Sequence, residues 1–284
     1  IGALKGKTAW VVIDEIQKMP ALLDTVHLLI EKSGIKFALT GSSARKLKKG
    51  AANLLAGRAF MRQLFPLTSI EMGERFNLEE ALWWGTLPKV TSLEADGDRR
   101  DFLKAYALTY LKEEIWAEHI VRRLDPFRRF LEMAASMNGQ IVNYSNLAGD
   151  VGVDTKTVQS YFEILEDTLL GILLGPYHRS VRKRQRKNPK FYFFDTGVRR
   201  GLGHLLDMRP VPGQPEFGQV FEHWVVVEAW RRNEYFAKDY RFYYLRTKDD
   251  AEIDLVIERP GRPLALIEIK SRDRVDERDV RMIG

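Results

Sequence analysis

The order of the apolar runs near the start of the chain constrains its fold more than any other feature. Thr8-Ala-Trp-Val-Val-Ile13 is short, apolar and β-branched, and it ends abruptly in Asp14-Glu15, the pattern of a buried parallel strand. Leu22, Leu23, Val26, Leu29 and Ile30 then recur at helical spacing as far as Gly34, where a helix is expected to stop. Lys36-Phe-Ala-Leu-Thr40 gives a second strand, followed by the polar turn Gly41-Ser42-Ser43. Strand, helix, strand implies a βαβ unit and a parallel sheet. Ligands bind such sheets at the carboxyl ends of the strands, and here those ends carry Asp14, Glu15 and the hydroxyls of Thr40 and Ser42. In P-loop nucleotidases an aspartate so placed holds Mg²⁺, a glutamate orients the attacking water, and a hydroxyl senses the γ-phosphate. A plainer reading stands beside this one, in which Asp14-Glu15 caps the helix that follows. No Gly-x-x-x-x-Gly-Lys-[Ser/Thr] occurs, and Lys5-Gly-Lys-Thr8 runs straight into the Asp14 strand with no helix between, so it is not a phosphate-cradling loop.

With 284 residues the chain has room for about two domains, and its motifs divide it further. Residues 69–120 read as mainly helical, punctuated by Gly85 and Pro88. From Pro126 onward short helices follow closely, the first being Phe127–Ala135. Tyr144–Ala148, the turn Asp150-Val-Gly-Val153, and Asp154–Leu165 with Asp154 as N-cap then give a helix-turn-helix. In that module the second helix enters the major groove, with Lys156, Gln159 and Ser160 toward DNA and Val158, Phe162 and Leu165 inward. Lys+Arg total 45 against 39 Asp+Glu, a net +6. The stretch His178–Lys190 alone exceeds that excess, with Arg179, Arg182, Lys183, Arg184, Arg186, Lys187 and Lys190 uninterrupted by an acid. A hairpin at this place would be a wing, and Arg182, Lys183, Arg184 and Arg186 are its candidate phosphate contacts. The alternatives are a solvated basic face and a spacer between domains.

The last third reads as the strand Phe191–Phe194, a helix over Phe221–Arg232, and strands at 241–245, 253–257 and 264–269. It carries Glu222 on the helix, Asp254 in a strand, and Glu268-x-Lys270 at the end of the next. Strand residues two apart share a face, so Glu268 and Lys270 point the same way and can meet Asp254. Two such carboxylates suit Mg²⁺ or Mn²⁺. Lys270 could steady developing phosphate charge, and Glu222 could add a ligand or a base. A surface ion-pair ladder is the competing explanation in a chain with 30% charged residues. The chain lacks cysteine, which excludes disulfides, thiolate nucleophiles and cysteine zinc sites. His27, His119, His178, His204 and His223 are scattered without ligand spacing and are expected to be packing or surface residues. No apolar run approaches the roughly 18 residues of a membrane span. A cytoplasmic protein without membrane contact is expected, and a start at Ile1 rather than Met suggests part of a longer gene product.

At these residues the sequence resembles a group of prokaryotic AAA-type ATPases whose C-terminal half is a domain of unknown function with a PD-(D/E)xK nuclease-like core. The matching stretches are Val11–Pro20, Leu39–Ser43, Leu55–Arg58, Leu64–Thr68 with Glu71, Phe194–Gly197, Phe221-Glu222, Tyr244–Thr247, Glu252–Asp254 and Ile267–Lys270. The resemblance implies an α/β fold in four parts: residues 1–68 as the C-terminal part of an AAA-type parallel sheet, 69–125 as a helical lid or linker, 126–190 as a winged helix-turn-helix, and 191–284 as the nuclease-like domain. It further implies that Asp14 and Glu15 are the Walker B pair, that Thr40 or Ser42 is sensor 1, and that Arg58 is an arginine finger reaching a neighbouring subunit in a homo-oligomer. Asp254, Glu268 and Lys270 match the nuclease signature, with Glu222 in its helical position. The implied cofactors are ATP in the full-length protein and Mg²⁺ or Mn²⁺, and the implied partner is DNA. The family's P-loop lies upstream of the Walker B strand and has no counterpart in this chain.

Overall fold

The computed structural model describes residues 10–41, 59–107, 124–178, 188–246 and 252–272. Ser42, Arg58, Arg182, Lys183, Arg184 and Arg186 lie outside them. The chain separates into two compact units, residues 1–63 with the short segment 167–169, and the remainder from residue 64.

In the first unit β1 (Trp10–Ile13), α1 (Leu22–Ser33) and β2 (Lys36–Leu39) form the expected βαβ unit, with β1 parallel to β2 and Ile13 opposite Leu39. Gly34 ends α1 in the left-handed region, at φ 63°, a conformation open to glycine at little cost. Leu23 and Val26 are buried, and Leu23 joins Ile16 in a small core with Ile13, Leu22, Ile30 and Leu39 against it. β1 itself is not buried on both faces: Trp10 and Val12 are 64% and 67% exposed. Among the described residues this sheet has two strands.

The second unit opens with short helices: α2 (Ser69–Met72), α3 (Leu78–Trp84), α4 (Pro88–Thr91) and α5 (Asp96–Ala105). Thr68 and Glu71 form a capping box at α2, which gives that motif a local role. Next come α6 (Leu124–Ser136), α7 (Tyr144–Val151) and α8 (Thr155–Asp167). Asp154 accepts from the Thr157 N–H at 2.9 Å, the expected N-cap bond. Gly152 carries the turn between α7 and α8 at φ 78°.

A hairpin follows, β3 (Gly171–Pro176) antiparallel to β4 (Lys190–Phe193). After it come α9 (Thr196–Leu202), α10 (Pro215–Tyr235), β5 (Arg241–Arg246), β6 (Glu252–Glu258) and β7 (Ala265–Ile267). Among the described residues the strands make one mixed sheet in the order β4-β3-β5-β6-β7. β3 pairs in parallel with β5 through Gly175 and Pro176, and the outer pairs are antiparallel. The division expected between residues 190 and 191 therefore falls inside a strand, because the hairpin is continuous with the later sheet.

Two cores hold this unit. Phe127, Phe130, Phe162, Phe191 and Phe193 are fully buried, with Phe130 and Phe191 each packed edge-on against Phe162, at 4.8 and 4.9 Å. Burying such a ring contributes about 1.5–3 kcal/mol, so these contacts tie the helices to β4. On the sheet, Val226 and Val227 of α10 pack on Ile172, Leu174, Tyr192, Tyr244 and Leu255. The Phe194-Asp-Thr-Gly197 motif is also structural here. Asp195 is fully buried, caps α9 through the Val198 N–H and accepts from the Thr86 N–H at 2.9 Å. A Cβ on Gly197 would stand 1.9 Å from the Trp84 carbonyl oxygen, so only glycine permits this approach.

Candidate functional site

Helix and sheet bring the acidic residues of the last third together. α10 lies on the sheet through its valines and so holds Glu222 over the sheet's face. Asp254 comes from β6, and its Oδ2 accepts the Ile269 N–H at 2.8 Å, which fixes the segment after β7 against it. Glu268 and Lys270 lie just beyond the end of β7 rather than within the strand expected there, and their Oε1 and Nζ are 2.5 Å apart. The second Glu268 oxygen, Oε2, is buried without a hydrogen-bond partner.

Three further residues belong to this cluster and were not singled out as site residues from the sequence. Glu252 sits two residues before Asp254 on β6. Lys190 and Tyr192 sit two apart on β4, on one face of that strand. Lys190 is the last residue of the basic run, yet its side chain is only 4% exposed. Its ammonium lies 3.4 Å from Glu222 Oε1 and is in direct contact with Glu252 Oε1. The Tyr192 hydroxyl donates to Glu222 Oε1 at 2.6 Å. The loop before α7 closes over this pair at Gly139, where a Cβ would stand 3.3 Å from the Tyr192 ring and 3.7 Å from Glu222. Period-two alternation from Tyr192 was the available signal for Lys190, masked by the basic run that ends on it.

The charges explain the titration behaviour. Burial first, with the nearby Glu222 and Glu268, raises the Asp254 carboxyl to about 6 against the opposing Ile269 N–H and Lys190. Burial works against the Lys190 charge, but Glu222, Glu252 and Asp254 prevail and hold its pKa above the ordinary lysine value. Burial and Glu222 push the Tyr192 phenol well up, so it remains a donor. The carboxylates of Glu222 and Glu252 pair with the Lys190 ammonium and Glu268 pairs with that of Lys270, while Asp254 stands beside Glu222 and Glu268, a concentration of carboxylates that a divalent cation would balance. Among the described residues no three His, Asp or Glu side chains are grouped to cage an ion. Asp254 and the unpartnered oxygen of Glu268 fit an ion that keeps several waters, as Mg²⁺ does. Neighbouring His223 is fully buried and neutral, burial pushing it down to about 3, and its Nε2–H donates to the Phe193 carbonyl at 2.6 Å. It is a packing residue, as its lack of ligand spacing suggested.

In the first unit Asp14 and Thr40 also meet. The Thr40 hydroxyl donates to Asp14 Oδ1, and the strands close through Thr40 N–H to the Ile13 carbonyl at 2.9 Å. Glu15 takes the left-handed conformation, at φ 52°, where the chain leaves β1. On α8, Lys156, Gln159 and Ser160 are exposed while Val158, Phe162 and Leu165 are buried, the division the helix-turn-helix reading requires.

Three family models match consecutive parts of the chain. Residues 2–73 match an AAA domain, residues 75–210 a domain of unknown function (DUF8612), and residues 217–283 a second domain of unknown function (DUF4143). The first match places the βαβ unit in an AAA-type domain. Among curated proteins, an uncharacterized protein of Mycobacterium tuberculosis and one of Mycobacterium bovis are each 30% identical over 264 residues, covering 92% of this chain and 58% of their own length. An uncharacterized protein of Methanocaldococcus jannaschii is 21% identical over 291 residues, covering 94% of this chain and 63% of its own. The chain thus spans about three-fifths of these relatives. No solved structure matches it. No helix of the described residues is long and apolar enough to cross a membrane.

Proposed function

We propose that the chain is part of an AAA-type ATPase that binds DNA through a winged helix formed by α6 to α8 and the β3–β4 hairpin, and that its C-terminal part is a Mg²⁺-dependent DNA endonuclease with a PD-(D/E)xK core. The observation that carries the nuclease half is the convergence of Glu222, Asp254, Glu268 and Lys270 on one partly buried, net-negative site. Asp254 and Glu268 would hold the cation, which when bound would polarise the scissile phosphate. Lys270, 37% exposed beside Glu268, presents its ammonium toward solvent, where it can stabilise charge developing on phosphate oxygens. The Ile269 N–H keeps Asp254 turned into the site. Tyr192 holds Glu222 in place from β4.

The ATPase half draws on the AAA domain match and on the Asp14–Thr40 contact at the strand ends. Asp14 would take the Mg²⁺ of ATP, Glu15 would orient water, and Thr40 would respond to the γ-phosphate. Ser42 shares the sensor role in this reading, and Arg58 would act on the nucleotide of a neighbouring copy. Lys156, Gln159 and Ser160 would read the groove while Arg182, Lys183, Arg184 and Arg186 meet phosphates. A non-catalytic DNA-binding or regulatory switch with a degenerate nuclease fold is the second reading. It is favoured by one observation, that Lys190 already pairs with both Glu222 and Glu252.

Incubation with supercoiled, linear and branched DNA in Mg²⁺ or Mn²⁺ separates the two. The nuclease reading expects cleavage by the wild type and none by Asp254→Ala. Equal behaviour of the two proteins favours the switch.

A further inference from the structure

Lys190 brings to the candidate site a cation that belongs to the chain. It projects from β4 past Tyr244, whose ring centre is 5.8 Å from the ammonium, and it ends between Glu222 of α10 and Glu252 of β6. Desolvating an ammonium is costly, and a buried one persists only where carboxylates compensate it. Here two carboxylates from different elements do so, and Tyr192 donates to the same Glu222 oxygen. The other side of the cluster is different. Glu268 gives one oxygen to Lys270 and leaves Oε2 buried without a partner. The cluster is therefore divided between a half already served by a cation and a half that is not.

We propose that Lys190 is a resident counter-ion that fills the Glu222–Glu252 half of the site and keeps a divalent cation out of it. A divalent ion bound to those carboxylates would meet the ammonium at close range. Like charges at such range repel strongly where water screens them little, and a divalent ion carries twice the charge of an ammonium. The number of ions the wild type takes is then set by Asp254 and Glu268 alone. This inference rests on the metal-site reading only in concerning the same carboxylates.

The test counts bound Mn²⁺ per chain, by calorimetry and by the electron paramagnetic resonance of the free ion, in the wild type, Lys190→Met, Lys190→Gln and Lys190→Arg. Methionine and glutamine remove the charge, glutamine keeps a donor for Glu222, and arginine keeps the charge. The expected result is one ion more than the wild type for Met and Gln, and the wild-type number for Arg. Folded Met and Gln variants with the wild-type number overturn the proposal, as does an extra ion on the Arg variant. Where the neutral variants unfold without metal, Mn²⁺ should restore them and raise their melting temperature well beyond its effect on the wild type; no restoration also overturns it. A wild type that binds no ion beside neutral variants that bind one leaves Lys190 as proposed and removes the metal-dependent nuclease. One ion in the wild type and one in each neutral variant does the reverse.

Discussion

Asp254 is the residue whose chemistry the fold alters most within the candidate site. Its carboxyl is raised from the ordinary 3.8 to about 6, by burial first and by Glu222 and Glu268 next. In the unfolded chain it ionises near the ordinary value, so between these two values the folded state binds more protons. Stability contributed by this group is full at the acid end, falls as pH rises toward 6, and is level above that. Asp254→Asn does not ionise and should escape the loss. Urea denaturation in EDTA is expected to show the variant gaining on the wild type between about pH 4 and pH 6 and holding level above that, whereas a pH-independent difference contradicts the assignment. Neither this shift nor the place of Lys190 was legible in the sequence. Asp254, Glu268 and Lys270 could be read from strand alternation, whereas the alternation that puts Lys190 on the face of Tyr192 is hidden by the basic run, and its partners Glu222 and Glu252 come from distant elements.

At the scale of the elements, those set by local rules were read well. Gly34 stops α1, Asp154 caps α8, and the apolar spacing of Val158, Phe162 and Leu165 fixes which face of α8 is buried. α10 runs from Pro215 to Tyr235, longer than the expected 221–232, because it is buried on several sides and lacks the one-sided pattern from which helix limits are read. Asp195 caps α9, a start signal the sequence does carry, whereas the close approach of Gly197 to Trp84 is a tertiary contact that no local pattern shows. The exposed face of α8 supplies a test of the DNA reading. If Lys156 meets a phosphate, Lys156→Ala should weaken binding across sequences and reduce the slope of log affinity against log salt by about 0.9. An unchanged slope removes Lys156 from the interface.

Across the whole molecule, the three family matches run in the order of the motifs, and the AAA match ends at residue 73, near the expected limit at 68. Helices α7 and α8 and the carboxylate cluster are joined more closely than four consecutive parts would suggest. The hairpin after α8 is also part of the sheet that bears Asp254, and its second strand supplies Lys190 and Tyr192. Any displacement of that hairpin would act on Glu222 directly. Binding and cleavage should nevertheless be separable, because Lys270 is partly exposed and paired only to Glu268 among the described residues. The most direct test is the single-turnover nicking rate of supercoiled DNA in Mn²⁺ at saturating protein, for the wild type and Lys270→Met. Loss of a charge that stabilises the transition state predicts a rate lower by about 10²-fold or more, with DNA affinity nearly unchanged. Equal nicking rates for the two proteins would contradict the nuclease site.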